Sequence, residues 1–236
     1  MYHLGRAVAA NILGKYGAYE DEQANRYVNE VGHALAEFSQ APQVFSGYHF
    51  QILDSDHINA FAAPGAFVFA TRGMLRLCAT EDELASVLAH EIAHVQRRHA
   101  LKSVKKSRWV TFAAVIGSGA AGSGQSAKFG RMFEGMVRDI AKTMINKGYG
   151  RELEKEADTD AVAILRATGY DQAAIISVLE KMKKKRKGRK LGFFKTHPKP
   201  KVRIKSIRAL ITGSPRPTSS TRQARFDAAL VSARAG

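Results

Sequence analysis

A stripe of apolar residues at Ala24, Tyr27, Val28, Val31, Ala34, Leu35 and Phe38 runs through residues 20–38 with the three-and-four spacing of an amphipathic helix. Pro42 closes that region, and residues 3–15 upstream carry a weaker helical pattern with glycines at both ends. The period then drops to two. Tyr48–Leu53 alternates as a half-buried strand, Ile58–Ala62 reads as a second and Ala66–Thr71 as a third. Asp54-Ser55-Asp56 and Pro64-Gly65 supply the turns, and Gly73 ends the section before a short helix from Met74 to Cys78. Three short strands in succession predict a small antiparallel sheet. An exposed edge at Ala66, Phe67, Val68 and Phe69 would pair with an extended peptide. A purely structural meander fits the same pattern equally well.

The helical period returns at Leu84, Leu88, Glu91 and Val95, behind a capping box with Thr80 as N-cap and Glu83 three residues on. Within that helix lies His90-Glu91-Ile92-Ala93-His94. Side chains at i and i+4 share one helix face, so His90 and His94 can point at one metal ion. Glu91, one position after the first histidine, can reach a water on that metal and act as general base. The carboxylate falls on the apolar stripe, where its charge needs compensation and a metal centre would give it.

Further helices follow over residues 129–145 and 150–168, the latter stopped by Gly169. On the second, Glu152, Lys155, Glu156, Thr159 and Asp160 share a polar face expected to look at solvent. Glu154 and Asp158 fall on a stripe with Ala157, Ala161 and Leu165. Glu154 is therefore the candidate third metal ligand, with Glu156 as the alternative, and Asp158 one turn later would orient a ligand histidine. Two histidines and a carboxylate are a catalytic zinc set with one position open for water. A helix from Asp171 through Met182 runs into the basic stretch 183–190. Thr196-His197-Pro198, an amphipathic helix over Val202–Ile211 and a Gly/Pro/Ser/Thr-rich segment at 213–222 complete the chain, with a last helix expected over Ala224–Ala235. The stretch at 117–126 is rich in Gly, Ser and Ala and reads as a flexible loop, placed where it could lid a cleft.

At 236 residues the chain is long enough for one domain with a sizeable core. Its net charge of +16 argues for an anionic partner or surface without choosing between lipid, nucleic acid and acidic protein. Lys102, Lys105, Lys106 and Arg108 add a basic patch after the motif helix. Cys78 is the single cysteine, which excludes an intramolecular disulfide and a cysteine-built zinc site. The opening residues lack the pattern of a signal peptide, and the longest apolar stretch, residues 109–122, is too short to span a bilayer. The chain is expected to be soluble, with association at a membrane surface as an option.

Four pieces, in order, resemble the CAAX prenyl endopeptidase family of zinc metallopeptidases. They are His90-Glu91-Ile92-Ala93-His94; Tyr149 to Asp158, with its Glu-x-x-Ala-Asp element; Asn59 to Gly65 with Thr71-Arg72-Gly73; and His197-Pro198 with Arg203. The resemblance covers about residues 20–210. It implies His90, His94 and Glu154 as ligands of one zinc ion and Glu91 as catalytic base. It also implies His197 near the metal, either stabilising the oxyanion or occluding zinc at rest, Arg203 as an anchor of the active-site wall and Asp158 behind a ligand. Gly150 stands where the family often has serine. The absence of the integral members' transmembrane segments groups the chain with soluble, exported bacterial members that serve envelope quality control.

The expectation is an α+β, mainly helical zincin-like domain over residues 1–211, with the sheet beside the motif helix and a tail over 212–236 that has room for a short helix. It would be a zinc endopeptidase acting on unfolded or extended polypeptides, in the bacterial periplasm or at a membrane. An anionic membrane surface is a second partner, and nucleic acid is not favoured. The alternatives are a latent peptidase working as chaperone or adaptor, and a basic lipid- or nucleic-acid-binding module.

Overall fold

The computed structural model describes residues 1–104, 108–110, 114, 123–185, 197, 200–213 and 218–235. Residues 186–190 of the expected basic stretch 183–190, Lys105 and Lys106 of the expected basic patch and residues 117–122 of the expected loop lie outside these; residues 123–126 begin a helix.

Helices α1 (Tyr2–Tyr16) and α2 (Glu22–Ala36) lead into strands β1 (His49–Leu53), β2 (Ala60–Ala63) and β3 (Phe67–Thr71). Then come α3 (Arg72–Leu77), α4 (Glu81–Gln96), α5 (His99–Lys102), α6 (Ser123–Lys142), a π-helical turn (Thr143–Lys147) and α7 (Arg151–Thr168). α8 (Ala174–Lys185), α9 (Pro200–Arg208), α10 (Ser220–Ala229) and α11 (Val231–Arg234) complete the chain.

The sheet corrects two expectations. Its order is β1-β3-β2, with β3 antiparallel to β2 but parallel to β1, so the sheet is mixed. The tight Pro64-Gly65-Ala66 turn, with φ of 74° at Gly65 and 65° at Ala66, folds β3 back between the two earlier strands. β3 is therefore the central strand. Phe67, Val68 and Phe69 spend their backbone groups on both neighbours, so they are not a free edge for a peptide. Ala66 lies in the turn and its carbonyl accepts from His49 N at 2.9 Å.

Of the two true edges, β1 is closed by the fold itself. Asn29 on α2 both donates to Phe50 O at 2.7 Å and accepts from Phe50 N at 3.2 Å, and Asn25 accepts from Ile52 N at 2.9 Å. Tyr19 N donates to Ile52 O at 2.9 Å. β2 is the other edge.

Both sheet faces are covered. Phe50, Ile52, Ala60, Val68 and Ala70 join α2, α4, α7 and α8 in the main core, while Leu53, Phe61, Ala63 and Phe69 meet α1 and α6 in a second core. Alternation along each strand thus separates two cores and not core from solvent. α1 approaches the β2–β3 turn so closely that a Cβ on Gly5 would lie 1.7 Å from Pro64 O, which only glycine allows.

α4 packs most extensively on α7. Ala85, Ala89 and Ala93 on one and Ala157 and Ala161 on the other are buried with no side chain beyond Cβ, so the two backbones come close. The stretch expected as a tail also packs on the main core: Phe226, Leu230 and Ala233 are fully buried there.

Candidate metal centre

α4 begins as its capping box dictates. Thr80 Oγ1 accepts from Glu83 N at 3.2 Å, and the Glu83 carboxylate reaches back to Ala79 N at 2.6 Å, one residue beyond the usual partner. Three acidic residues in the first turn favour the same helix through its dipole. Three turns on, the helix presents His90, Glu91 and His94, exposed by only 3, 1 and 1%. Glu154, from the first turn of α7, is exposed by 1% and His197 by 3%.

These side chains converge. His94 Nε2 lies 3.1 Å from His90 Nε2 and 3.6 Å from Glu154 Oε1. His90 Nε2 is 3.6 Å from Glu154 Oε2. His197 Nδ1 stands 2.9 Å from Glu154 Oε1 and 3.4 Å from His90 Nε2. One ligand atom from each of His90, His94, Glu154 and His197 falls within 4.8 Å of the others. Imidazole nitrogens with one carboxylate oxygen, buried and mutually this close, fit a divalent ion of the zinc type.

The rear nitrogens of the two motif histidines are held. His90 Nδ1 is 3.1 Å from Asp158 Oδ1. Asp158 accepts from Arg203 Nε at 2.9 Å and Nη2 at 2.7 Å, and Arg203 Nη1 reaches Glu154 Oε2 at 3.2 Å. His94 Nδ1 meets His99 Nδ1 at 2.8 Å, and His99 Nε2 lies 3.0 Å from Glu156 Oε2. When His94 Nε2 faces a metal, its Nδ1 carries the proton and donates to His99, whose Nε2–H then donates to Glu156.

Electrostatics follow from burial and these partners. Burial and Arg203 both press the His90 pKa down, but the Asp158 and Glu154 carboxylates outweigh them and lift it to about 9. Burial and neighbouring His90 hold His94 well below the usual imidazole value. Burial disfavours the Glu154 carboxylate, yet His197 and Arg203 hold its pKa well below the ordinary one. Burial raises Glu91, with His197 and His90 pulling the other way. Neither Glu91 oxygen accepts a hydrogen bond; His197 Nε2 is 3.7 Å from Oε1. A buried carboxylate of raised basicity with free lone pairs suits a general base.

The helical face of α7 thus brings Glu154 and Asp158 to the site. Its expected solvent face is only partly so: Asp160 is buried and takes two hydrogen bonds from Arg97, at 2.6 and 2.8 Å, because that flank meets the C-terminal end of α4. Glu156 lies behind His99 and not among the converging atoms. His99 and Tyr149 carried no assigned part in the sequence reading. α4 ends at Gln96, and Arg98 at φ 53° breaks the helical path, so His99 folds back under His94 at a spacing that periodicity does not flag. Tyr149 sits just before the start of α7, its ring stacked on His94 at 4.5 Å and 24°. It opens the Tyr149–Asp158 piece of the family resemblance, which gave it no role.

Residues 22–211 match the family described as Peptidase family M48. The chain is 29% identical over 210 residues to the beta-barrel assembly-enhancing protease of Escherichia coli (strain K12), covering 87% of this chain and 42% of that protein. It is 32% identical over 156 residues to the mitochondrial metalloendopeptidase OMA1 of Schizosaccharomyces pombe, covering 63% and 42%. With the metalloprotease YcaL of Escherichia coli (strain K12) it shares 26% over 205 residues, covering 84% and 78%. The chain spans less than half the length of the assembly-enhancing proteases it matches.

Proposed function

The chain belongs to peptidase family M48 and is a metallopeptidase domain; from that premise we propose that its metal is zinc, held by His90, His94 and Glu154, and that it cleaves unfolded or extended segments of envelope proteins. The convergence of His90, His94, Glu154 and His197 beside the unbonded Glu91 carboxylate carries this reading. When bound, the metal supplies Lewis acidity, lowering the pKa of water and polarising the scissile carbonyl. Glu91 takes a proton from the attacking water and returns it to the leaving amine. Arg203 and Asp158 hold the ring of His90, and His99 with Glu156 that of His94.

In this reading the arrangement is a resting one: His197 sits among the ligand atoms, where its imidazole would be a further ligand to a bound metal. Moving it aside admits water and substrate and leaves its N–H able to meet the developing oxyanion. The substrate edge in this reading is β2, since Ala62 and Ala63 line a crevice with His94 and Val95. The π-helical turn packs against β2 and must give way for a peptide to pair there.

The motif resemblance supports a place beside the CAAX prenyl endopeptidases, and the similarity to bacterial proteases that enhance β-barrel assembly supports the periplasm. Among the described residues no helix is long and apolar enough to cross a membrane. Substitution of Glu91 by Gln is expected to abolish casein cleavage while the metal stays bound; unchanged cleavage sinks the assignment. The closure of the site favours one second reading, a latent peptidase that works as a chaperone. It requires binding of unfolded protein that survives Glu91→Gln, with no casein turnover by the wild type.

A further inference from the structure

Four tyrosines of the described chain are buried: Tyr27, Tyr48, Tyr149 and Tyr170. Three have a partner for the hydroxyl. Tyr27 and Tyr170 donate to Glu81 at 2.6 and 2.8 Å, and Tyr48 donates to Ala41 O at 3.1 Å. Tyr149 Oη has none. Leaving a buried hydroxyl unpaired forfeits its hydration with no return, and a phenylalanine would fill the same space without that loss. An unpaired group of this kind calls for an explanation.

Its position offers one. Gly148, at φ 76°, reverses the chain between the π-helical turn and α7. The Tyr149 ring is thereby laid flat on His94, with His197 edge-on at 6.3 Å. Glu91 and Glu154 are the charges that act on the phenol. At this site the two oxygens of Glu91 likewise accept no hydrogen bond, while Arg203 Nη1 is engaged in its ion pair with Glu154 at 3.2 Å. A donor and an acceptor stand in the same buried site, and they do not bond each other. Both fit a group that enters between them. A peptide carbonyl attacked by water has the matching pair, an oxygen that gains negative charge and a water that loses a proton.

We propose that Tyr149 is a catalytic residue whose hydroxyl donates a hydrogen bond to the scissile carbonyl oxygen as that oxygen becomes an oxyanion. The assignment rests on the endopeptidase reading. The water oxygen bonds to the carbonyl carbon while the C=O π pair moves onto oxygen, and Glu91 takes the water's proton. Tyr149 keeps its own proton throughout and stabilises the new charge. When the C–N bond breaks, the π pair returns to form C=O, and the departing nitrogen takes the proton from Glu91. The hydrogen bond to Tyr149 then lapses.

Tyr149→Phe is the test, because it keeps the ring stacked on His94 and removes only the hydroxyl. On the metal-loaded chain with a fluorogenic peptide, kcat is expected to fall about 100- to 1000-fold, the loss usual for one oxyanion donor, with KM and metal content unchanged. A peptide phosphinate that mimics the tetrahedral state should lose affinity by a similar factor, and a product peptide should not. The Tm should rise by about 2–4 °C, because an unpaired buried group is removed. A kcat within about threefold of wild type overturns the proposal. So does a loss confined to KM, or a fall in Tm or metal content, each of which makes Tyr149 structural. Glu91→Gln, assayed beside it, separates the two claims. If Glu91→Gln is dead and Tyr149→Phe is not, only the Tyr149 assignment falls. If both cleave like wild type, the endopeptidase reading falls and takes the assignment with it.

Discussion

His99 stands directly behind His94, Nδ1 to Nδ1 at 2.8 Å, and passes the contact on to Glu156 at 3.0 Å. A ligand imidazole oriented by a second imidazole and then a carboxylate has its tautomer fixed before any metal arrives. His99→Ala should therefore weaken metal affinity about 10- to 100-fold, read by competition with a chromogenic chelator. His99→Gln, whose amide oxygen can accept from His94, should recover part of that loss. Equal affinity in wild type and His99→Ala would show that the contact does not orient the ligand.

Arg203 is buried against Asp158 and Glu154. Arg203→Met leaves two carboxylates without their common cation, which should cost about 3–5 kcal/mol in denaturant unfolding of the metal-free chain. Arg203→Lys should not restore it, since the two-pronged contact with Asp158 needs a guanidinium. A loss below about 1 kcal/mol would mean that the carboxylates find other partners.

Phe226 is fully buried in the main core, far along the chain from the motif helix. Phe226→Ala should lower stability by about 3–5 kcal/mol. Truncation before residue 218 should act in the same direction. A variant as stable as wild type would mark α10 as an appendage.

Acid should release the same region first. Glu81 is buried and takes hydrogen bonds from Tyr27 and Tyr170, with the Arg225 guanidinium paired to both of its oxygens. Burial works against its charge, and these partners outweigh burial and lower its pKa below the ordinary 4.5. The stabilisation is then complete above 4.5 and is lost as pH falls through the depressed folded value. Proteolysis near α10 should rise below that pH in wild type. Glu81→Gln should be less stable at neutral pH and show a flatter acid limb; an acid limb identical to wild type would contradict the role given to Glu81.

Legibility followed range. The start of α4, the His90–His94 face and the Glu154–Asp158 stripe of α7 are set by neighbours within one or two turns, so periodicity and capping reveal them. The order β1-β3-β2 depends on which strand a turn folds between the others, and alternation of side chains does not encode it. Because both sheet faces are covered, the pattern in β3 also gave no sign that it was central. His99 escaped because a single left-handed residue, Arg98, redirects the chain. Asp160 escaped because its partner Arg97, just past the end of α4, lies 63 residues away along the chain. Tyr149 escaped because a missing hydrogen bond has no sequence signature.

The central claim is a metal held by His90, His94 and Glu154, and the most direct test is elemental analysis of purified wild type and Glu154→Ala after dialysis. One zinc per chain in wild type and less than about a tenth of that in Glu154→Ala is the expected result, since the variant loses the charged donor of a three-ligand set. Wild type without stoichiometric metal after zinc loading, or Glu154→Ala with full occupancy, would contradict it.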